Sequence, residues 1–212
     1  MEEHKQALLL CSGGLDSTTL AYLLVEQQIS FLSLFINYGQ HCAATELATA
    51  RGVLPASVRN EIVTVNISDV YLGSPSRLIS EPDLWRDVVI DADLYLPYRN
   101  LVFLSVGSAY AQTRGIGLLY AAFINSNHAK EIDCSAEFFG RLTALLAEYG
   151  SVEVRVPFRD FSKRQVAELA LRLGVPIGRT FSCQASSTVP CGACPNCVER
   201  LAALQGLGEN YA

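Results

Sequence analysis

The stretch ALLLCSGGLDSTTLAYLL, residues 7–24, restricts the fold more than any other part of the chain. An apolar run gives way to Ser12, Gly13, Gly14, Leu15, Asp16 and Ser17, and these to a helical pattern with Leu20, Ala21, Leu23 and Leu24 on one side. Glycine pairs and small hydroxyls are poor helix formers, and an aspartate among them adds a desolvation problem. A buried strand, a tight turn that holds an anion and a helix N-terminus explain all of it. At such a junction free N–H groups and the positive end of the helix dipole favour phosphate. Gly13 and Gly14 let the amides turn inward, and Ser12 and Ser17 can donate hydroxyl hydrogen bonds. Asp16 beside a polyphosphate needs a compensating cation, which assigns it to Mg²⁺. The segment has neither the Gly-Lys-Ser/Thr ending of a Walker loop nor the third glycine of a dinucleotide fingerprint.

Apolar runs alternate with helical periods along the remaining sequence. Strands are expected at Ala7–Cys11, Phe31–Asn37, Glu61–Ile67, Ile116–Ile124 and Val152–Val156. Helices are expected at Ser17–Gln28, about Ala43–Leu54, Arg99–Arg114, Ala136–Tyr149 and from an N-cap at Ser162 to Gly174. Residues 68–97 lack regular periodicity and read as a long loop or lid. The expected architecture is α/β: a Rossmann-like parallel sheet with helices on both faces over residues 1–180, and a small C-terminal module over 181–212.

That module is dominated by FSCQASSTVPCGACPNCVERL, which supplies Cys183, Cys191, Cys194 and Cys197. Four soft ligands on two short segments suit one structural Zn²⁺ with no position left for substrate. A redox C-x-x-C pair and an iron–sulfur cluster stay open as other uses of the same run. Cys11, Cys42 and Cys134 read as small buried residues. The N-terminus shows no signal-peptide core and no apolar run reaches ~18 residues, so a cytoplasmic protein that does not enter a membrane is expected. A net charge of −5 argues against a nucleic-acid partner.

The SGGLDS loop after a first strand resembles the PP-loop ATP pyrophosphatases. Four segments narrow the likeness: LLLCSGGLDSTTLAYLL, FINYGQHCAATELATA, YLPYRNLVFLSVGSAYA and the tail from TFSCQ to CGACPNCVER. Together they resemble the 7-cyano-7-deazaguanine synthase (QueC) family over nearly the whole length. The resemblance implies that the carboxylate of 7-carboxy-7-deazaguanine is adenylated with ATP and converted with ammonia to an amide and then a nitrile, in a homodimer. It places Leu10, Cys11, Ser12, Gly13, Gly14, Leu15, Asp16, Ser17 and Thr18 at ATP and Mg²⁺. Asp16, Ser17, Arg99 and Lys163 become the catalytic set, with Lys163 on the leaving phosphate. Asn100, Asn125, Asp133 and Glu137 become the substrate contacts.

One segment departs from the family. Where its members carry a stretch close to GVNxxDYSGYPDCRPEF, this chain has AFINSNHAKEIDCSAEF, so Tyr-Ser-Gly-Tyr-Pro is missing and Ser135 replaces an arginine. His128 and Lys130 are unusual there and could serve a new acceptor. The change suits a relative that passes the acyl group to a protein amine, as QueC-like enzymes of anti-phage operons are thought to do. A tRNA thiouridine synthase would need a basic face, and a non-catalytic nucleotide-binding protein would not need Asp16 and Ser17 intact.

Overall fold

The computed structural model describes residues 5–124 and 134–208. Five parallel strands, β1 (Ala7–Leu10), β2 (Phe31–Asn37), β3 (Ile62–Asn66), β4 (Leu118–Tyr120) and β5 (Glu153–Arg155), form one sheet in the order β3-β2-β1-β4-β5. Around it lie α1 (Leu15–Glu26), α2 (Ala43–Val53), α3 (Arg99–Thr113), α4 (Ala136–Tyr149), α5 (Lys163–Arg172) and α6 (Pro195–Leu204). The chain builds β1, β2 and β3 to one side, then crosses back to place β4 against β1.

The strand period of two decides which helix covers which face. Leu8 packs with Leu104 and Ala111 of α3 and with Phe139 and Leu142 of α4. Ala7 and Leu9 pack on the opposite side with Leu20 and Leu24 of α1, Ala50 of α2 and Val166 of α5. Both faces are therefore covered, as a Rossmann-like parallel sheet requires. Leu8, Leu9 and Phe31 are fully buried, and each such side chain contributes ~1.5–3 kcal/mol relative to exposure.

Three differences from the expected elements have physical causes. The apolar run Ile116–Ile124 pairs only over Leu118–Tyr120. Ala121 N–H adds one bond to the Arg155 carbonyl (3.0 Å), after which residues 121–124 line a cavity, so apolarity there marks burial without pairing. The loop 68–97 holds two short 3₁₀ turns, Ser68–Tyr71 and Asp91–Leu94, and is tied down: Ser76 Oγ and Arg77 N–H both donate to the Asp93 carbonyl, at 3.1 and 2.7 Å. Helix α6 is absent from the sequence reading, because the cysteine spacing dominated that segment. Pro195 starts it after Cys194, and Ala203 and Leu204 bury with Leu15, Ala167 and Ala170.

Among the described residues no helix is long and apolar enough to cross a membrane. The start of α5 is as expected. Ser162 Oγ accepts from Gln165 N–H (3.2 Å), and the Gln165 side chain accepts from Ser162 N–H (2.8 Å). Ser162→Ala should lower the unfolding free energy by about 1 kcal/mol with an unchanged urea m-value; an unaltered midpoint would mean that the box contributes nothing.

Candidate active site

The loop after β1 opens at the carboxyl ends of the strands, where the sheet order reverses between β1 and β4. A cavity of about 290 Å³ lies there, lined by Leu10, Cys11, Ser12, Gly14, Leu15, Asp16 and Ser17, and by Arg99, Asn100 and Lys163 from other elements. Helix α1 follows Gly14 with no side-chain cap. The Ser12 and Gly14 N–H groups reach only hydroxyls, Ser17 Oγ at 3.3 Å and Ser12 Oγ at 3.4 Å. Those contacts exceed the ~2.9–3.0 Å of an ordinary N–H···O bond. A phosphate oxygen would be the better acceptor for both, at the positive end of α1.

Asp16 stands in the first turn of α1, and its Oδ2 accepts from Lys163 Nζ at 2.6 Å. The two side chains are 23% and 12% exposed, so this pair is screened less than a surface bridge. Asp16 Oδ1 is buried without a hydrogen-bond partner. Lys163, expected on a leaving phosphate, thus approaches the same place through Asp16.

The two glycines differ, and the need for glycine at one of them has a different reason from the one the sequence suggests. Gly13 does not line the cavity. It has φ +78°, and a Cβ there would lie 2.7 Å from Ala50 N and 2.8 Å from the Glu46 carbonyl of α2. Its carbonyl accepts from Phe181 N–H at 3.2 Å. Gly14 has ordinary extended geometry, and a Cβ would meet the Phe181 carbonyl at 3.4 Å. Close backbone approach at positive φ, rather than amide rotation alone, requires Gly13 to be glycine, whereas the contacts around Gly14 are ordinary in length.

Opposite the loop, Arg99 and Asn100 start α3, and Asn100 Nδ2 donates to Cys134 Sγ (3.1 Å). The cavity is completed by groups absent from the sequence reading, chiefly Tyr38, Gln40, Glu46, Phe103, Ser182 and Gln184. Gln40 is locked: its Oε1 accepts from Tyr38 N–H (2.9 Å), and its Nε2 donates to the Ile36 carbonyl (3.3 Å) and to Glu46 Oε2 (2.8 Å). Glu46 keeps partial exposure as a residue, yet burial raises its carboxyl above the usual range; donors on Gln40 and Cys42 and the charge of Arg99 only partly oppose this. The sequence signal for these residues was present in NYGQHCAATE, but it serves as a family marker there and carries no chemistry by spacing alone. Burial pushes the Cys11 thiol up to about 11 and raises Cys42, which leaves both protonated at neutral pH.

The four tail cysteines come together, with all sulfur atoms within 4.8 Å of one another, and this cluster could hold a metal ion. Backbone N–H groups of Cys191 and Cys194 point at Cys183 Sγ (3.4 Å) and Cys191 Sγ (3.2 Å). The segment between Cys183 and Cys191 is clamped to the body. The His41 ring nitrogens contact Ser187 Oγ (2.8 Å) and the Gln184 carbonyl (3.1 Å), and Ser187 N–H donates to Glu81 (2.7 Å).

Besides Gly13, two expected site residues do not line the cavity. Thr18 is fully buried in α1, and Glu137 is exposed on α4, paired with Arg141 at 2.5 Å. Asn125, His128, Lys130 and Asp133 lie outside the described residues.

Glu46 gives a pH-dependent prediction. With its folded value raised, the ionised carboxylate burdens the fold. The burden appears as pH rises above the ordinary value of about 4.3 and is complete above the folded one. Glu46→Gln should therefore raise the melting temperature of the ligand-free protein at neutral pH, by roughly 2–4 °C for each kcal/mol relieved. The gain should shrink as pH falls toward about 4. A lower melting temperature at neutral pH would contradict the burial argument.

The family model described as "Queuosine biosynthesis protein QueC" matches residues 6–208. The "7-cyano-7-deazaguanine synthase" of Synechococcus sp. (strain CC9311) is 33% identical over 96% of this chain and 94% of its own length. That of Porphyromonas gingivalis (strain ATCC BAA-308 / W83) is 31% identical over 98% and 96%. Among solved structures, NMN synthetase from Francisella tularensis covers 89% of this chain at 19% identity, with 71% of its own chain covered and a TM-score of 0.47. With a family model spanning almost every residue and curated relatives matched end to end, the chain belongs to the QueC family.

Proposed function

We propose that the enzyme adenylates the carboxylate of 7-carboxy-7-deazaguanine and joins its acyl carbon to ammonia, giving the amide and, after a second activation, the nitrile. The observation that carries this reading is the uncapped loop Ser12–Ser17, which opens into one cavity with Lys163 and Arg99. In the first step a carboxylate oxygen attacks the α-phosphorus of ATP, and pyrophosphate leaves with the bond's electron pair. Ammonia then adds to the acyl carbon, AMP leaves and a proton is released. In the second activation the amide oxygen attacks the α-phosphorus of a second ATP, pyrophosphate leaves and one N–H proton is lost; departure of AMP with the remaining N–H proton then leaves the carbon–nitrogen triple bond. The loop N–H groups hold the departing pyrophosphate, Lys163 adds a fixed positive charge beside them, and Arg99 faces the substrate carboxylate. Holding both reactants in one walled site supplies the effective concentration the amine needs.

Two ions fit the residues present. The buried, partnerless Asp16 Oδ1 suits a hard cation, so Asp16 would hold Mg²⁺, which when bound neutralises phosphate charge. A tetrahedral ion bonded to sulfur at ~2.3 Å sets sulfurs about 3.8 Å apart, which suits Zn²⁺ on Cys183, Cys191, Cys194 and Cys197. Four thiolates close that site to substrate. The ion would hold Ser182 and Gln184 as one wall of the cavity.

Incubation with ATP, Mg²⁺, 7-carboxy-7-deazaguanine and ammonium should yield AMP and the free nitrile by mass spectrometry. Ser17→Ala and Lys163→Met should each reduce AMP release about 10²–10³-fold. No AMP under any condition would sink the reading. The altered segment INSNHAKEIDCSAEF favours a second acceptor. AMP without nitrile, together with a deazaguanine mass on a protein, would assign the acyl group to a protein amine. Separately, stripping the metal with a strong chelator should release one zinc per chain and weaken ATP binding at least about 10-fold, because the Phe181–Gln184 wall rests on the cluster. Unchanged ATP affinity in the metal-free protein would separate the two sites.

A further inference from the structure

Among the described residues, three carboxylates line the cavity: Asp16, Glu46 and Glu199. Asp16 is taken by Lys163. Glu199, near the start of α6, is partly exposed and shows no hydrogen bond that fixes it among those observed. Glu46 differs from both. Gln40, itself 4% exposed and held by backbone partners on either side, donates to its Oε2 at 2.8 Å and fixes its position. The Glu46 backbone also abuts Gly13, so the carboxyl is referenced to the phosphate loop.

The surroundings of Glu46 are aromatic. Tyr38 and Phe103 line the same cavity with centroids 5.1 Å apart and planes tilted by 49°. Burial keeps the Tyr38 hydroxyl protonated. A flat heteroaromatic ring would find stacking surface here. An ionised carboxylate offers about four acceptor positions; among the described residues Glu46 receives donors only from Gln40 and Cys42, with Arg99 nearby, and burial outweighs them. The missing element is a ligand that donates. The loop N–H groups, Lys163 and Arg99 cannot supply an acceptor, since they are donors suited to phosphates and carboxylates.

We propose that Glu46 is the specificity residue for the substrate ring, accepting from the ring N–H and the adjacent exocyclic amino group of a 2-amino-4-oxo pyrimidine edge. This rests on the 7-deazaguanine reading above. The adenine of ATP has no such pair of adjacent donors, so the assignment also separates the two heteroaromatic rings that must share the cavity. Gln40 acts as a positioning residue, and Tyr38 and Phe103 supply the ring's apolar contact.

The test is equilibrium binding by calorimetry, on the zinc-loaded protein, of 7-carboxy-7-deazaguanine and of the analogue with hydrogen in place of the exocyclic amine. ATP is titrated alongside. Wild type should prefer the amino compound about 10–100-fold, the range for hydrogen bonds to a charged acceptor. Glu46→Gln, isosteric with the native residue, should bind the two rings within about 3-fold of each other, with ATP affinity unchanged. An undiminished preference in Glu46→Gln overturns the assignment, as does a variant that loses ATP instead. A wild type without preference overturns it with no variant needed. If wild type binds ATP but neither ring, the substrate reading itself fails, and that outcome is distinct from a preference that survives the substitution.

Discussion

The backbone of Gly13 is held from two sides, and the rest of the site depends on that. Helix α2 comes so close that a Cβ would meet Ala50 N at 2.7 Å, and the Phe181 N–H binds the Gly13 carbonyl. The turn between β1 and α1 is thereby clamped between an element that precedes the long loop and one that begins the cysteine tail. A glycine at φ +78° tolerates both approaches, and any side chain would be strained there. The consequence is a helix N-terminus with its amides open to the cavity and unable to relax onto a side-chain cap.

Charge in the cavity is divided. Donors and cations gather at the loop, Lys163 and Arg99, where anions would be held. A carboxyl raised by burial, Glu46, shares the cavity with the rings of Tyr38 and Phe103. Low dielectric makes each group a strong discriminator, because an unpaired buried charge is costly until its ligand arrives. Two different heteroaromatic molecules bound in adjoining space would need such a division, since stacking alone does not distinguish one flat ring from another.

The cysteine tail takes part in the site as a wall. Ser182 and Gln184 line the cavity, while Ser187 is gripped by His41 and Glu81. Arg200 of α6 is buried and donates to Thr180 Oγ1 (2.7 Å) and to the Ile177 carbonyl (2.6 Å). A metal ion held by these cysteines would give a loop-rich wall the rigidity that regular secondary structure supplies elsewhere.

Local signals made much of this legible. The strand–SGGLDS–helix junction, the Ser162 N-cap and the four-cysteine spacing each encode a short-range geometry, and all three took shape where the residues pointed. Family likeness added Arg99, Asn100 and Lys163 to the same cavity. The length of β4 was not legible, because apolarity reports burial and pairing depends on a neighbouring strand. The partnership of Asp16 with Lys163, separated by 147 residues, had no local trace either. Nor did Glu46, whose meaning comes from Gln40, Tyr38 and Arg99 enclosing it. The sequence by itself determined the strand–helix alternation through α5 and the strand–turn–helix junction at SGGLDS, since those follow from backbone propensities and spacing. Only the tertiary structure decided which charges face each other and which carboxyl is left short of donors, because desolvation and close approach are properties of the packed chain.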